Sequence, residues 1–313
     1  MSTCLEEPPS ARSQTGQRLR AIMAGVRVSI SWFGVRKSLT REQKSQAAES
    51  FGAESDCVSA AKKILDTRHP AFKTVSSVRG RVVALWRSMS LAYPEPGVRL
   101  IRQDDIQDFE GRMTALCADL EEAVAALDEQ YVELRSAARL RLGSLYNSLD
   151  YPDSLRGLFS VEWDYPSFEP PSYLRQLSPE LYQQECARIQ GRFDEAVRLA
   201  EEAFSSELAK LVSHLTERLT GLEDGKPKIF RDSAVENLTQ FFERFRHLNV
   251  RSSVELDQLV SQCQEAVRGI DPQKLRDSRS LRAAVATDLV EVQVALDQFL
   301  IDRPRRNLIR RAR

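Results

Sequence analysis

Apolar positions recur along this chain with three different periods, and each period predicts a different element. Over residues 26–32 the period is two: Val26, Val28, Ile30 and Trp32 are separated by Arg27, Ser29 and Ser31. Alternation among β-branched and aromatic residues predicts a half-buried strand. Residues 1–20 carry no such periodicity and are rich in Ser, Pro and Arg, so they read as a disordered tail. Thr40 and Gln43 have capping-box spacing ahead of a short helix over "REQKSQAAESFG". A further helix is expected over "SAAKKILD". Pro70 opens the next, with Val75, Val78, Val82, Leu85 and Met89 at steps of three and four. "YPEPG" ends it, and "GVRLI" reads as a second strand able to pair with the first.

From Asp104 the period becomes seven. Ile106, Met113, Leu120, Leu127 and Leu134 are joined by Phe109, Leu116, Val124, Tyr131 and Ala138, predicting an amphipathic helix of about 40 residues. A later helix begins at Ser178-Pro179 and has a period of eleven. It runs from Ile189 through Phe193, Val197, Ala200, Phe204, Leu208, Leu211, Leu215 and Leu219 to Leu222. That period keeps an apolar face nearly straight. Two successive stripes would bury each other in a long antiparallel hairpin, although their periods differ. Ser233 with Glu236 and Ser252 with Glu255 cap two further helices, and Gly269 stops the second. A last helix runs from Asp271-Pro272 to about Leu300.

The fold expected is therefore mainly α. A small α+β unit with two strands (21–102) follows the tail (1–20). Next comes the hairpin (103–225), with a connector at 146–177, then a C-terminal helical region (226–302) and a basic tail (303–313).

Composition narrows the function. Charged residues make up 29% and aromatics 7%, and 45 basic residues balance 45 acidic ones, so any affinity for polyanions must be local. The five cysteines (Cys4, Cys57, Cys117, Cys186, Cys263) are scattered and form no CxxC pair, which suits reduced thiols in a cytoplasmic protein. "RLRAIMAGVRVSISWFGV" has a superficial likeness to a signal sequence, but Arg27 interrupts it and no cleavage motif follows. No apolar run approaches the ~20 residues of a membrane span.

Catalytic constellations are missing from the sequence. His69, His214 and His247 stand apart. "GLEDGKPK" has three residues, not four, between its glycines, and Pro227 follows its lysine, so it is a helix-ending turn rather than a phosphate loop. Asp104-Asp105, Glu121-Glu122 and Glu201-Glu202 are adjacent pairs that diverge on a helix and read as solvated faces. Neither an enzymatic activity nor a metal or cofactor is expected.

Two stretches remain. "LFSVEWDYPSFEPPSY" begins like a short strand and is then held extended by Pro166, Pro170 and Pro171. Its aromatics either plug the end of the helical hairpin or form a partner surface made of Phe159, Trp163, Tyr165, Phe168 and Tyr173. The tail carries Arg303, Arg305, Arg306, Arg310, Arg311 and Arg313 with no acid after Asp302. It suits nucleic acid or an acidic partner. The alternatives are a solvated end and, favoured by the balanced charge of the rest of the chain, an arm docked on the protein's own acidic face near Glu121-Glu122 or Glu201-Glu202.

"VSISWFGVRKSL", "KKILD", "GVRLI" and "DYPDSLRGLFSVEW", together with "FRDSAVENLTQFFERFRHLNV", resemble a family of uncharacterised bacterial proteins with relatives in phages and mobile elements. The resemblance implies a mostly helical protein with a small N-terminal strand pair and carries no catalytic or binding residues. The function expected is a non-enzymatic helical scaffold or protein–protein interaction module. It would act through a protein partner or self-association. The alternative is a nucleic-acid-binding accessory protein using the arginine tail, without a membrane in either case.

Overall fold

The structure, a computed structural model, describes residues 11–220, 222–223, 226–227, 233–270 and 272–301. In chain order its main elements are α1 (Ala11–Ile22), β1 (Met23–Ser31), β2 (Arg36–Ser38), α2 (Arg41–Glu49), β3 (Ala61–Lys63), α3 (Pro70–Ser88), β4 (Ser90–Ala92), β5 (Val98–Arg102), α4 (Ile106–Glu129), α5 (Tyr131–Leu142), β6 (Ser160–Asp164), α6 (Tyr173–Leu177), α7 (Pro179–Thr220), β7 (Leu222–Glu223), β8 (Lys226–Pro227), α8 (Ser233–Leu248), α9 (Val254–Ala266), α10 (Pro272–Asp277) and α11 (Arg279–Ile301). The protein is mainly α. Contacts sort the described residues into two units: one takes in those of 11–25, 90–102 and 167–301, and the other 26–89 and 103–166.

The first unit is organised on α7, a 42-residue helix about 63 Å long at 1.5 Å per residue. Its eleven-residue stripe is buried at Ile189, Phe193, Val197, Ala200, Phe204, Leu208, Leu215 and Leu219, with Leu211 half-buried. Ser178 caps the start, its Oγ accepting from Leu181 N at 3.4 Å. No single short helix can cover such a stripe, and α1, α8, α9 and α11 all pack against it. The β4–β5 hairpin belongs to the same unit, with Leu91 opposite Leu100 and both buried. Its turn is type II: Pro96 is in the second position, Gly97 has φ +80° and Val98 N donates to Glu95 O at 3.2 Å.

Helix α1 replaces part of the disordered tail expected over 1–20; residues 1–10 lie outside the described residues. What holds it is a narrow stripe of Gly16, Leu19 and Met23, all buried. A Cβ at Gly16 would come within 2.0 Å of Asp194 Oδ1 on α7, so glycine sets the close approach of the two helices. A stripe containing a glycine and one leucine is invisible to a hydrophobic pattern.

In the second unit, β1 pairs antiparallel with β6, placing Val28 opposite Trp163 and Ile30 opposite Val161. Arg27 joins Asp164 across the pair through Nε at 3.1 Å and Nη2 at 2.6 Å. The capping box of α2 forms as read: Gln43 N donates to Thr40 Oγ1 at 3.3 Å and Thr40 N to Gln43 Oε1 at 3.1 Å. "SAAKKILD" is not a helix. Residues 61–63 form β3, which pairs with β2. Burial overrides propensity here. Lys62 Nζ reaches Asp150 Oδ2 at 2.6 Å and donates to Leu145 O at 2.7 Å, while Ile64 and Leu65 are buried.

The long heptad helix is two helices, α4 and α5, interrupted at Gln130. Its stripe is buried as read, through Phe109, Met113, Leu120, Val124, Leu127, Tyr131, Leu134 and Ala138. The partner differs from expectation. α4 packs on α3, whose Val75, Val78, Val82 and Leu85 are buried, while α7 is covered within its own unit. The long hairpin is thus not how these stripes are buried; α3 already offers α4 a matching face of three-and-four spacing, and α7's period of eleven matches neither.

The succession of units expected at 21–102, 103–225 and 226–302 gives way to the discontinuous division above. Strand pairing is one cause, because β6 from the connector joins β1. At the C-terminal end, the cap of α9 is Ser253 rather than Ser252, its Oγ accepting from Leu256 N at 3.3 Å. The last helix is divided at Ser278 into α10 and α11.

Leu127 and Leu208 are both 0% exposed, one in each unit. Leu127→Ala and Leu208→Ala should each cost about 2–5 kcal/mol, whereas Leu140→Ala, at an 87% exposed position, should be silent. Chemical denaturation followed by circular dichroism checks this.

Candidate interaction surfaces

The five aromatics singled out in the connector do not make one surface. Phe159, Trp163 and Tyr165 belong to the second unit, and Phe168 and Tyr173 to the first. Phe159 is buried, edge-on to Trp32 at 4.8 Å and 6.4 Å from Phe33. Trp163 Nε1 and Tyr165 OH both donate to Glu110 Oε1 of α4, at 2.7 and 2.6 Å. One carboxylate thereby fixes two aromatics on the strand's exit. Phe168 joins Tyr93 and Phe193 in a ring cluster with centroids 4.7–5.5 Å apart, part of the first unit's core. The partner-surface expectation is corrected for Phe159 and Phe168, which are packing residues: extended, proline-held chain lets their rings turn inward.

Tyr173 does face solvent, at 59% exposure, and it has company. Leu177 is 76% and Leu181 50% exposed, so three large apolar side chains recur at every fourth residue without cover among the described residues. Tyr173 and Leu177 share a face of α6, and Leu181 follows in the first turn of α7. Arg175 flanks them, its guanidinium 4.9 Å from the Tyr182 ring and its Nη2 donating to Tyr182 OH at 3.2 Å. α11 also has two apolar faces. Val285, Leu289, Val292 and Leu296 are buried, while Val290, Val294 and Ile301 are 42%, 54% and 74% exposed on the other side.

The polar residues of the connector are anchors. Asp128 Oδ1 accepts from Leu155 N at 2.6 Å and Ser154 Oγ at 3.0 Å, and Arg156 Nε lies 3.4 Å from Oδ2. Tyr151 OH donates to Ile64 O at 3.0 Å and its ring stacks on Tyr146 at 5.0 Å. The Asp128 bonds pin the connector to α4, and the Lys62–Asp150 pair and the Tyr151 bond pin it to β3 and the residue that follows it. Every polar atom named here is spent on another part of the chain, so the cluster holds the fold.

His69 sits at the N-cap of α3, and His214 and His247 are exposed on α7 and α8. Glu121, Glu122 and Glu202 are solvated as expected, but Glu201 is 8% exposed, turned toward the core side of α7. Among the described residues no group of three His, Cys, Asp or Glu is placed to hold a metal ion, and no helix is long and apolar enough to cross a membrane. The arginines of the tail, Arg303, Arg305, Arg306, Arg310, Arg311 and Arg313, lie outside the described residues.

Arginines are nonetheless concentrated at one place in the first unit. A cavity of about 220 Å³ is lined by Arg18 of α1, Arg102 at the end of β5, Arg246 and His247 in the last turn of α8, and Arg251 just beyond it. Thr15 and Asn249 add to this polar wall, and among the described residues no aspartate or glutamate contributes. Nothing in the sequence pointed here, because the four arginines come from three distant stretches.

Burial pushes the pKa of the Tyr131 and Tyr151 hydroxyls up to about 12, from an ordinary value of 10.0. An acid whose folded pKa is raised adds stability that is full below 10 and lost as pH rises through 12. Stability should therefore fall across that window. Tyr131 OH is buried without a hydrogen-bond partner, so Tyr131→Phe should keep neutral-pH stability or raise it, and make the alkaline decline shallower. Urea denaturation at stepped alkaline pH checks both.

Comparison with protein-family models, with curated proteins and with solved structures finds no match for this chain.

Proposed function

We propose that the protein is a non-enzymatic helical interaction module that receives an apolar segment of a protein partner, or of a second copy, on the face formed by Tyr173, Leu177 and Leu181. The observation that supports this reading is the exposure of those three side chains in a unit whose other large apolar groups are mostly buried. Leaving a leucine in water forgoes about 1.5–3 kcal/mol of burial free energy. Exposed apolar groups close together in sequence and beside polar ones are a common mark of protein contact sites. Tyrosine and arginine are also the residue types enriched at the energetic centres of interfaces, and Arg175 and Tyr182 stand beside the leucines. The second apolar face of α11 is in keeping with a helix built to contact more than its own unit.

Leu177→Glu with Leu181→Glu puts charge on the face at positions where burial is not required for folding. The double variant should keep the wild-type melting temperature and helix content while losing self-association, or the stoichiometric partner recovered from the source organism with wild-type protein. Light scattering and quantitative affinity capture read these outcomes. Association that is equally strong in both proteins, or absent from the wild type, contradicts the proposal.

A further inference from the structure

We infer that the arginine-lined cavity of the first unit binds a compact oligophosphate, a group of two or more linked phosphates. Arg18, Arg246 and Arg251 are exposed and Arg102 half-buried, and all four line a space of about 220 Å³ with no carboxylate among its described walls. The arrangement is unusual for this chain, in which acids and bases are equal in number. Several arginines elsewhere stand beside acids: Arg27 with Asp164, Arg141 with Asp66, Arg192 with Glu95 and Arg198 with Glu195. Arg18, Arg246 and Arg251 form no such bridge with any described carboxylate.

Arg18, Arg246 and Arg251 place three like charges around one cavity, and an entering anion relieves their repulsion. The carboxyl end of α8 offsets only part of it, since a helix end carries about half an elementary charge. Asn249 shapes the wall. Its side-chain Nδ2 donates to Asp257 Oδ1 at 2.6 Å, and its Oδ1 accepts from Arg251 N at 2.9 Å. That second bond holds Arg251 at φ +52°, a left-handed conformation that a branched-off arginine adopts rarely, and it places the residue at the cavity. Guanidinium groups bind phosphate oxygens two at a time, and four of them offer more donors than one phosphate can use. A compact, partly open hollow, rather than a long basic track, fits linked phosphates better than the extended backbone of a duplex. The site shares no residue with the apolar face of Tyr173, Leu177 and Leu181, so either proposal can fail alone.

Isothermal titration of the full chain with inorganic triphosphate tests the inference. Wild type should bind one equivalent, more tightly than it binds orthophosphate and about as tightly as it binds a nucleoside triphosphate. Arg246→Ala and Arg251→Ala should each weaken binding about tenfold, the loss of one charge-assisted contact. Arg135→Ala with Arg139→Ala removes two arginines from the second unit's basic hollow and should change nothing. Absence of triphosphate binding overturns the inference, and so does equal weakening by the Arg135 and Arg139 control. Tighter binding of a short duplex through the same arginines would overturn the assignment to a compact anion.

Discussion

One constraint shapes the first unit: α7 presents a straight apolar stripe about 60 Å long, and water must be kept from all of it. A partner helix of equal length would do this in one piece. The chain uses several shorter ones, α1, α8, α9 and α11, drawn from both sides of α7 in sequence. Their packing requirements then set details that look arbitrary alone. Gly16 is small because α1 must approach Asp194, and the aromatic trio of Tyr93, Phe168 and Phe193 fills the space near the β4–β5 hairpin. Arg244 bridges to Glu207 and lies 6.0 Å from the Phe204 ring, which fastens α8 along the same helix.

The second unit meets a different requirement. α4 needs a partner for its sevens and finds it in α3, while β1 needs an edge and finds β6. The connector between these pieces has little regular structure and is fixed by polar bonds instead. Asp128, Glu110 and the Lys62–Asp150 pair each hold a separate length of it. Buried charges are retained here where they have partners, which is the condition under which burial is tolerated.

Periodicity was legible wherever one element decides its own burial: the alternation of β1, the sevens of α4 and α5, the elevens of α7, the Thr40–Gln43 box and the Pro70 start. It failed where a neighbour decides. "AKK" is a strand because Lys62 finds Asp150 about 90 residues away, and α1 is a helix because Gly16 and Leu19 find α7. The hairpin expectation failed for a related reason, since a stripe shows that burial is needed and not by what. Of the aromatic surface, Tyr165 and Tyr173 stay exposed, Phe159 is buried and Phe168 packs partly buried against the core. The arginine cavity left no sequence signal, because its members meet only in the folded chain.

The account's central claim is that α7 is the spine of the first unit, and native-state hydrogen exchange tests it most directly. Amides across 193–215, covered on several sides, should open only with the whole unit and exchange among the slowest in the protein. Those of α5, whose Val132 and Leu140 are exposed, should exchange far sooner. Exchange in the middle of α7 as fast as in α5 would contradict the account.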